Sequence, residues 1–221
     1  CDEEGCRYEG VVFNEMLGDG SGHDSIVGRS SVSSLYPDTA YSFNSGGDPE
    51  QIIKLDYQQF VSFHSQFYHP SNAKLFLYGD LEVGEKLAYL DEHYLLHRGS
   101  LNVQSTVGES QMWERERAVS YTSPTENGEG RASNSVVWAW ATDKVTDSLA
   151  VVTLSTLVDI LLSNPAAPLY KAILESGIGD DISPESGMSG DYYQMPMIIG
   201  FKGIDVDRAE EAGAFILKTL T

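Results

Sequence analysis

The chain has 221 residues, 41% of them apolar and 21% charged. That composition excludes a disordered tail and is enough for one large domain or two small ones. The 14 Lys and Arg stand against 33 Asp and Glu, a formal charge of -19, which excludes non-specific binding to nucleic acid or anionic membranes and suits a cationic partner.

No apolar run approaches the roughly 20 residues of a membrane-spanning helix, so no membrane insertion is expected. Cys1 and Cys6 are too few, and too close to the start, for a disulfide framework or a closed zinc site. The sequence opens Cys-Asp-Glu-Glu, with neither Met nor a basic apolar leader. We read that opening as a cut, with any targeting peptide absent or removed.

In chain order, Tyr8, Val11, Val12, Glu15 and Met16 repeat at helical spacing, and the glycines at 18, 20 and 22 stop the helix. A second helix is expected over 24–35, a strand over 39–43 and a turn over 45–49. Asp56 is placed to cap a helix whose apolar face carries Phe60, Phe63 and Phe67. Residues 73–80 read as a strand with a Gly-Asp stop, and 83–96 as a helix. The polar stretch 98–110 marks a boundary. Beyond it we expect an extended stretch over 113–123, a polar turn over 125–133 and a strand over 135–140. A nearly all-round apolar helix over 149–162 follows, then a helical piece over 165–178, a strand over 190–201 and a last helix from 207. This alternation predicts an α/β or α+β sandwich rather than a bundle or barrel, with the late helices covering one face of a sheet.

Few constellations carry chemistry. His64 and His69 lie five apart, about 140° around a helix, a poor metal pair. His93 and His97 have the i, i+4 spacing of zinc histidines, but Tyr94 and Leu96 occupy the places where a general base would stand. Glu9 and Glu15 lie six apart and point to different sides of an ideal helix, about 120° from each other, so they are no simple acid–base pair. Glu15 stands among Val12, Phe13 and Met16, where burial would be costly unless it is paired or metal-bound. The run Glu175, Asp180, Asp181, Glu185 and Asp191 could attract cations, and an exposed loop explains it equally well. Gly46-Gly47 lacks the context of a nucleotide loop.

Several segments together resemble one family. They are Glu9-Gly10-Val11-Val12-Phe13-Asn14-Glu15-Met16, Leu35-Tyr36-Pro37-Asp38, Ser45-Gly46-Gly47-Asp48-Pro49, and Phe67-Tyr68-His69-Pro70-Ser71-Asn72-Ala73 followed by Tyr78-Gly79-Asp80. They are similar to the presequence-degrading branch of the pitrilysin-type (M16) metallopeptidases. Pro168-Leu169-Tyr170-Lys171 and Glu175-Ser176-Gly177-Ile178-Gly179 resemble the next domain of those proteins.

The resemblance implies an α+β fold of pitrilysin/LuxS-like α/β sandwich domains, with antiparallel-rich sheets covered by helices, present here incompletely. Residues 1–98 would be the later part of the first domain, 99–112 a linker and 113–221 the beginning of the second. It implies a zinc metalloendopeptidase acting on unfolded, basic peptides such as cleaved targeting presequences in the mitochondrial matrix or plastid stroma. Glu15 would be the third zinc ligand, and Glu9 a supporting acid that steadies a liganding histidine. The two histidine ligands and the general base of the family's His-x-x-Glu-His motif have no counterpart here, and Leu17 replaces the usual basic residue. The expected partners are peptides and the remaining domains of the same polypeptide, and the isolated chain is expected to be inactive. The alternatives are a non-catalytic scaffold of the same family and an unrelated cation-binding α/β domain.

Overall fold

A computed structural model describes residues 8–96, 98–111, 113–123 and 134–221. Cys1, Cys6, His97 and the turn expected over 125–133 lie outside the described residues. The chain divides into two compact units, one of Cys1–Ile52 with Val107–Thr221 and one of Ile53–Thr106.

The first unit is built on an antiparallel sheet. Its long strands are β1 (Ser135–Lys144) and β4 (Gln194–Lys202), with the two-residue β2 (Asp181–Ile182) and β3 (Gly187–Met188) also paired to β4. The order β1-β4-β2 puts β4 in the middle. Its near-continuous apolar run fits burial on both faces. Pro196 has no N–H to give the ladder, and it stands beside the register shift between Ala141 and Lys144 of β1.

Pairing puts Val136, Trp138 and Trp140 opposite Phe201, Ile199 and Met197, all on one sheet face because side chains alternate. That face meets Leu169 and Ile173 of helix α7 (Pro168–Glu175) and Ala212 and Ile216 of helix α8 (Ala209–Leu220), each 1% exposed or less. A Cβ at Gly213 would stand 2.5 Å from the Trp138 ring, so the missing side chain is what lets α8 approach the sheet. Helix α6 (Ser148–Leu162) is capped by the Asp147 carboxylate, which accepts the N–H groups of Leu149 and Ala150.

The opposite face carries Ile198 and Lys202 and receives helix α2 (His23–Leu35). The Lys202 ammonium meets the Asp24 carboxylate at 3.0 Å. Tyr36 is 1% exposed and donates its hydroxyl to the Gln194 carbonyl at 2.8 Å. Residues from the first quarter of the chain therefore form one layer over a sheet made by residues 135–202, giving an open antiparallel sheet covered by helices on both faces. Helix α1 (Val11–Asp19) and the four-residue helix α3 (Pro49–Ile52) belong to the same unit.

The second unit contains helix α4 (Tyr57–Phe67) and helix α5 (Val83–Leu90), which runs on into a π-helical turn over Asp91–Leu95. Asp56 caps α4 as expected. Its carboxylate accepts the Gln59 N–H at 2.7 Å, and the Gln59 side chain accepts the Asp56 N–H at 2.9 Å. No described residue of this unit is buried: Phe60 is 64% and Phe63 59% exposed.

Two expected strands are absent. Residues 73–80 are in no ladder, and among the described residues of the unit no second strand stands ready to pair with them. The stretch 39–43 forms a 3-10 turn over Ala40–Ser42, with Thr39 Oγ1 accepting the Tyr41 N–H. That local side-chain bond offers the backbone an alternative to a ladder.

Candidate functional site

Helix α1 presents both candidate acids. Glu15 lies in its interior, Glu9 just before its Gly10 N-cap, and both are exposed. The entry to α1 is fixed by Tyr8 and Phe13, whose ring centroids are 6.2 Å apart. On its inner side Met16 lies against Gly46, where a Cβ would collide with Met16 Sδ, and Asn44 Nδ2 reaches that sulfur at 3.9 Å. Gly47 follows at φ 99°, a backbone region that favours glycine. The Asp48 carboxylate then accepts the Glu50 N–H at 2.7 Å. The segments around Glu15 and around Gly46-Gly47 are thus neighbours in space, and the second is a platform for the first. Asp19 joins α1 to α2 through Arg29 at 3.1 Å, an exposed pair worth at most about 1 kcal/mol.

The remaining motif segments are structural. Asp38 accepts the Ser110 hydroxyl and, at 3.1 Å, the Gln111 N–H. These bonds, the hydroxyl's first, hold its carboxyl below the ordinary value. Gln194 Oε1 accepts the Ser110 N–H at 2.7 Å, so the Tyr36–Asp38 corner and the end of β4 clasp the same residue. Around residue 70, Asn72 Nδ2 donates to the Phe67 carbonyl and Ser71 Oγ accepts the Leu101 N–H. After α7, Gly177 takes φ 65° and the Arg208 guanidinium donates to the carbonyls of Gly177 and Ile178.

Among the described residues the histidines do not converge. His64 stacks on Tyr68 at 4.6 Å, His93 lies against Tyr89 at 4.3 Å, and His69 Nδ1 accepts the Ser71 N–H. The acidic run disperses: Glu175 pairs with Lys171, Asp191 accepts the Ser189 hydroxyl, and Glu185 lies half-buried against α2. Among the described residues no three His, Cys, Asp or Glu side chains are grouped to hold a metal ion. Glu15 alone is no zinc site, and no catalytic step follows from these residues.

Sequence reasoning passed over His23. Its Nδ1 lies 2.9 Å from Ser123 Oγ and its Nε2 2.9 Å from Ser135 Oγ. Burial lowers its pKa, Asp24 opposes that shift and Lys202 adds to it. No local motif announces this bridge, because its partners stand a hundred residues away.

A family profile described as "Peptidase M16 inactive domain" matches residues 54–221. The chain belongs to the peptidase M16 family. Among M16-related proteins, the "Presequence protease 1, chloroplastic/mitochondrial" of Arabidopsis thaliana is 34% identical over 98% of this chain and 20% of its own length. The mitochondrial "Presequence protease" of Xenopus tropicalis is 31% identical over 96% of this chain and 21% of its own. The "Protein HypA" of Clostridium perfringens is 32% identical over 99% of this chain and 22% of its own. The chain therefore spans about a fifth of the length of the curated relatives it matches.

Proposed function

We propose that the chain is part of a zinc metalloendopeptidase that degrades unfolded peptides, such as cleaved targeting presequences, and that it hydrolyses nothing alone. The likeness to proteins named presequence protease across nearly the whole chain carries this reading. Glu15 is its third zinc ligand, an exposed carboxylate on α1, with Glu9 as the supporting acid. Zinc, when bound in the parent, supplies Lewis-acid activation of water and of the scissile carbonyl. This chain contributes one negative charge on a helix braced by Gly46.

In the same reading residues 1–98 close the first domain, 99–112 link, and 113–221 open the second. Glu15 precedes the profile described as an inactive domain, which supports assigning the metal ligand to a different part of the parent. The charge of -19 supports basic peptides as substrates. The mitochondrial and chloroplastic names of the relatives support the mitochondrial matrix or plastid stroma.

Two measurements test it. These 221 residues are expected to give no turnover of a fluorogenic peptide, and zinc-dependent, chelator-sensitive cleavage overturns that. In the intact parent Glu15→Gln is expected to lower zinc occupancy, and a metal titration with unchanged affinity removes Glu15 from the ligand set.

A second reading, a non-catalytic M16 scaffold, is favoured by the word "inactive" in the matched description. The coding sequence upstream of Cys1 separates the two: a His-x-x-Glu-His string there selects the enzyme, and its absence selects the scaffold.

A further inference from the structure

A pocket of about 350 Å³ opens between α2 and the segment joining β2 to β4, and none of the motif residues around Glu15 lines it. That volume is at the lower end of the range for small-ligand sites. Its walls are mixed, with Val32, Met188, Pro196 and Ile198 on the apolar side and Ser186, Ser189, Glu185 and Tyr192 on the polar side. Two polar groups stand out in it. The Glu185 carboxylate lies against the backbone of α2 at Gly28, where a Cβ would collide with it. Tyr192 stacks on Tyr36 and meets Tyr41 edge-on, which fixes its ring at the pocket wall. Among the described residues, neither the Glu185 carboxylate nor the Tyr192 hydroxyl has a hydrogen-bond partner. The neighbouring charges are already engaged, Asp24 by Lys202 and Asp191 by Ser189.

A half-buried carboxylate with no protein donor is served by solvent alone, so a cationic donor that reaches it gains a charge-assisted bond in a partly desolvated setting. Burial first, and the Asp24 charge second, push its pKa up, as expected for an acid that lacks a counter-charge. A group that completes the site has a cationic head for Glu185, a spare N–H for the Tyr192 oxygen and an apolar stem for the walls. A lysine side chain has all three, since its ammonium carries three donors at the end of a methylene chain. The chain's charge of -19 favours a peptide with several basic residues over a lone amine, because each added positive charge gains from the same field.

We propose that this pocket is a binding site for a lysine side chain of a basic peptide, with the ammonium on the Glu185 carboxylate and the methylene stem against Val32, Met188 and Ile198. The site is independent of the zinc ligand and needs no hydrolysis, so it can stand or fall separately from the peptidase reading.

The test is a titration of the 221-residue protein, followed by NMR, with a short basic peptide and with the same peptide carrying norleucine in place of each lysine in turn. Shifts are expected at Gly28, Gly187 and Met188. Replacing the docked lysine by norleucine is expected to weaken binding roughly tenfold, the usual worth of a hydrogen bond to a charged group. Glu185→Gln is expected to weaken the lysine peptide by a similar factor and to leave the norleucine peptide unchanged. Tyr192→Phe, which keeps the charge, is expected to cost a few-fold. The proposal is overturned if every norleucine peptide binds as well as its parent, or if the shifts fall elsewhere. It is overturned equally if n-butylamine binds as tightly as the peptide, since the occupant is then a free amine. The peptide-side swap uses unaltered protein, so a failure of Glu185→Gln to fold leaves the test intact.

Discussion

Asp38 shows how an exposed side chain can hold distant segments together. It accepts two donors from Ser110 and Gln111 while remaining at the surface. Because those bonds depress its pKa in the folded state, its contribution to stability is present above the unfolded value near 4 and lost as pH falls through the lower folded value. In urea unfolding the gap between wild type and Asp38→Asn is expected to be clear at pH 6 and to narrow at pH 3; an equal gap at both refutes the clasp. Tyr36 acts from the buried side of the same corner, and Tyr36→Phe, losing the bond to the Gln194 carbonyl, is expected to cost about 1 kcal/mol. Nothing in Leu35-Tyr36-Pro37-Asp38 as a string indicates that its partners are Ser110 and Gln194. The string is visible in the sequence, and its task becomes visible only once the chain has folded back on itself.

At the scale of elements, helices were more legible than strands. Their signals are local: Asp56 with Gln59, Asp147 ahead of α6, Pro168 at the first turn of α7 and Gly177 after it. A strand depends on a partner that may lie far away in sequence. The β1 and β4 segments were recognised because both are rich in β-branched and aromatic residues, and they do pair. Residues 73–80 carry only the aromatic part of that signal, Phe76 and Tyr78, and remain unpaired. The α1 helix was legible by its periodicity, and the neighbourhood of Glu15 with Gly46-Gly47 was not. The contact of α8 with β1 is equally specific. Gly213→Leu is expected to destabilise by about 1–3 kcal/mol, because new atoms must enter the space held by the Trp138 ring. A thermal melt indistinguishable from wild type would contradict that packing.

At the scale of the molecule, apolar surface is unevenly covered. The first unit has a core of residues exposed by 9% or less, whereas the second leaves Leu75 65%, Phe76 84% and Tyr78 90% exposed. Among the described residues no helix is long and apolar enough to cross a membrane. The chain equals about a fifth of its relatives' length, and an extended, unpaired apolar run is a template for association with other chains. Light scattering of the isolated protein is therefore expected to rise with concentration, and Phe76→Lys is expected to suppress that rise; scattering unaffected by the substitution would place the sticky surface elsewhere.

The layer that α2 lays over the sheet has a consequence for how the chain comes together. Its partners, β1 and β4, are made more than a hundred residues later, and the intervening stretch includes all of Ile53–Thr106. Docking α2 closes that long loop, at an entropic cost that grows only with the logarithm of its length, so the second unit can be lengthened or shortened at little expense to the first. The same connectivity makes the first unit slow to form, since its key contacts are remote in sequence. A single protease cut within Ile53–Thr106 would leave two pieces that still grip each other through α2 and β4, comigrating on a native gel and separating only in denaturant.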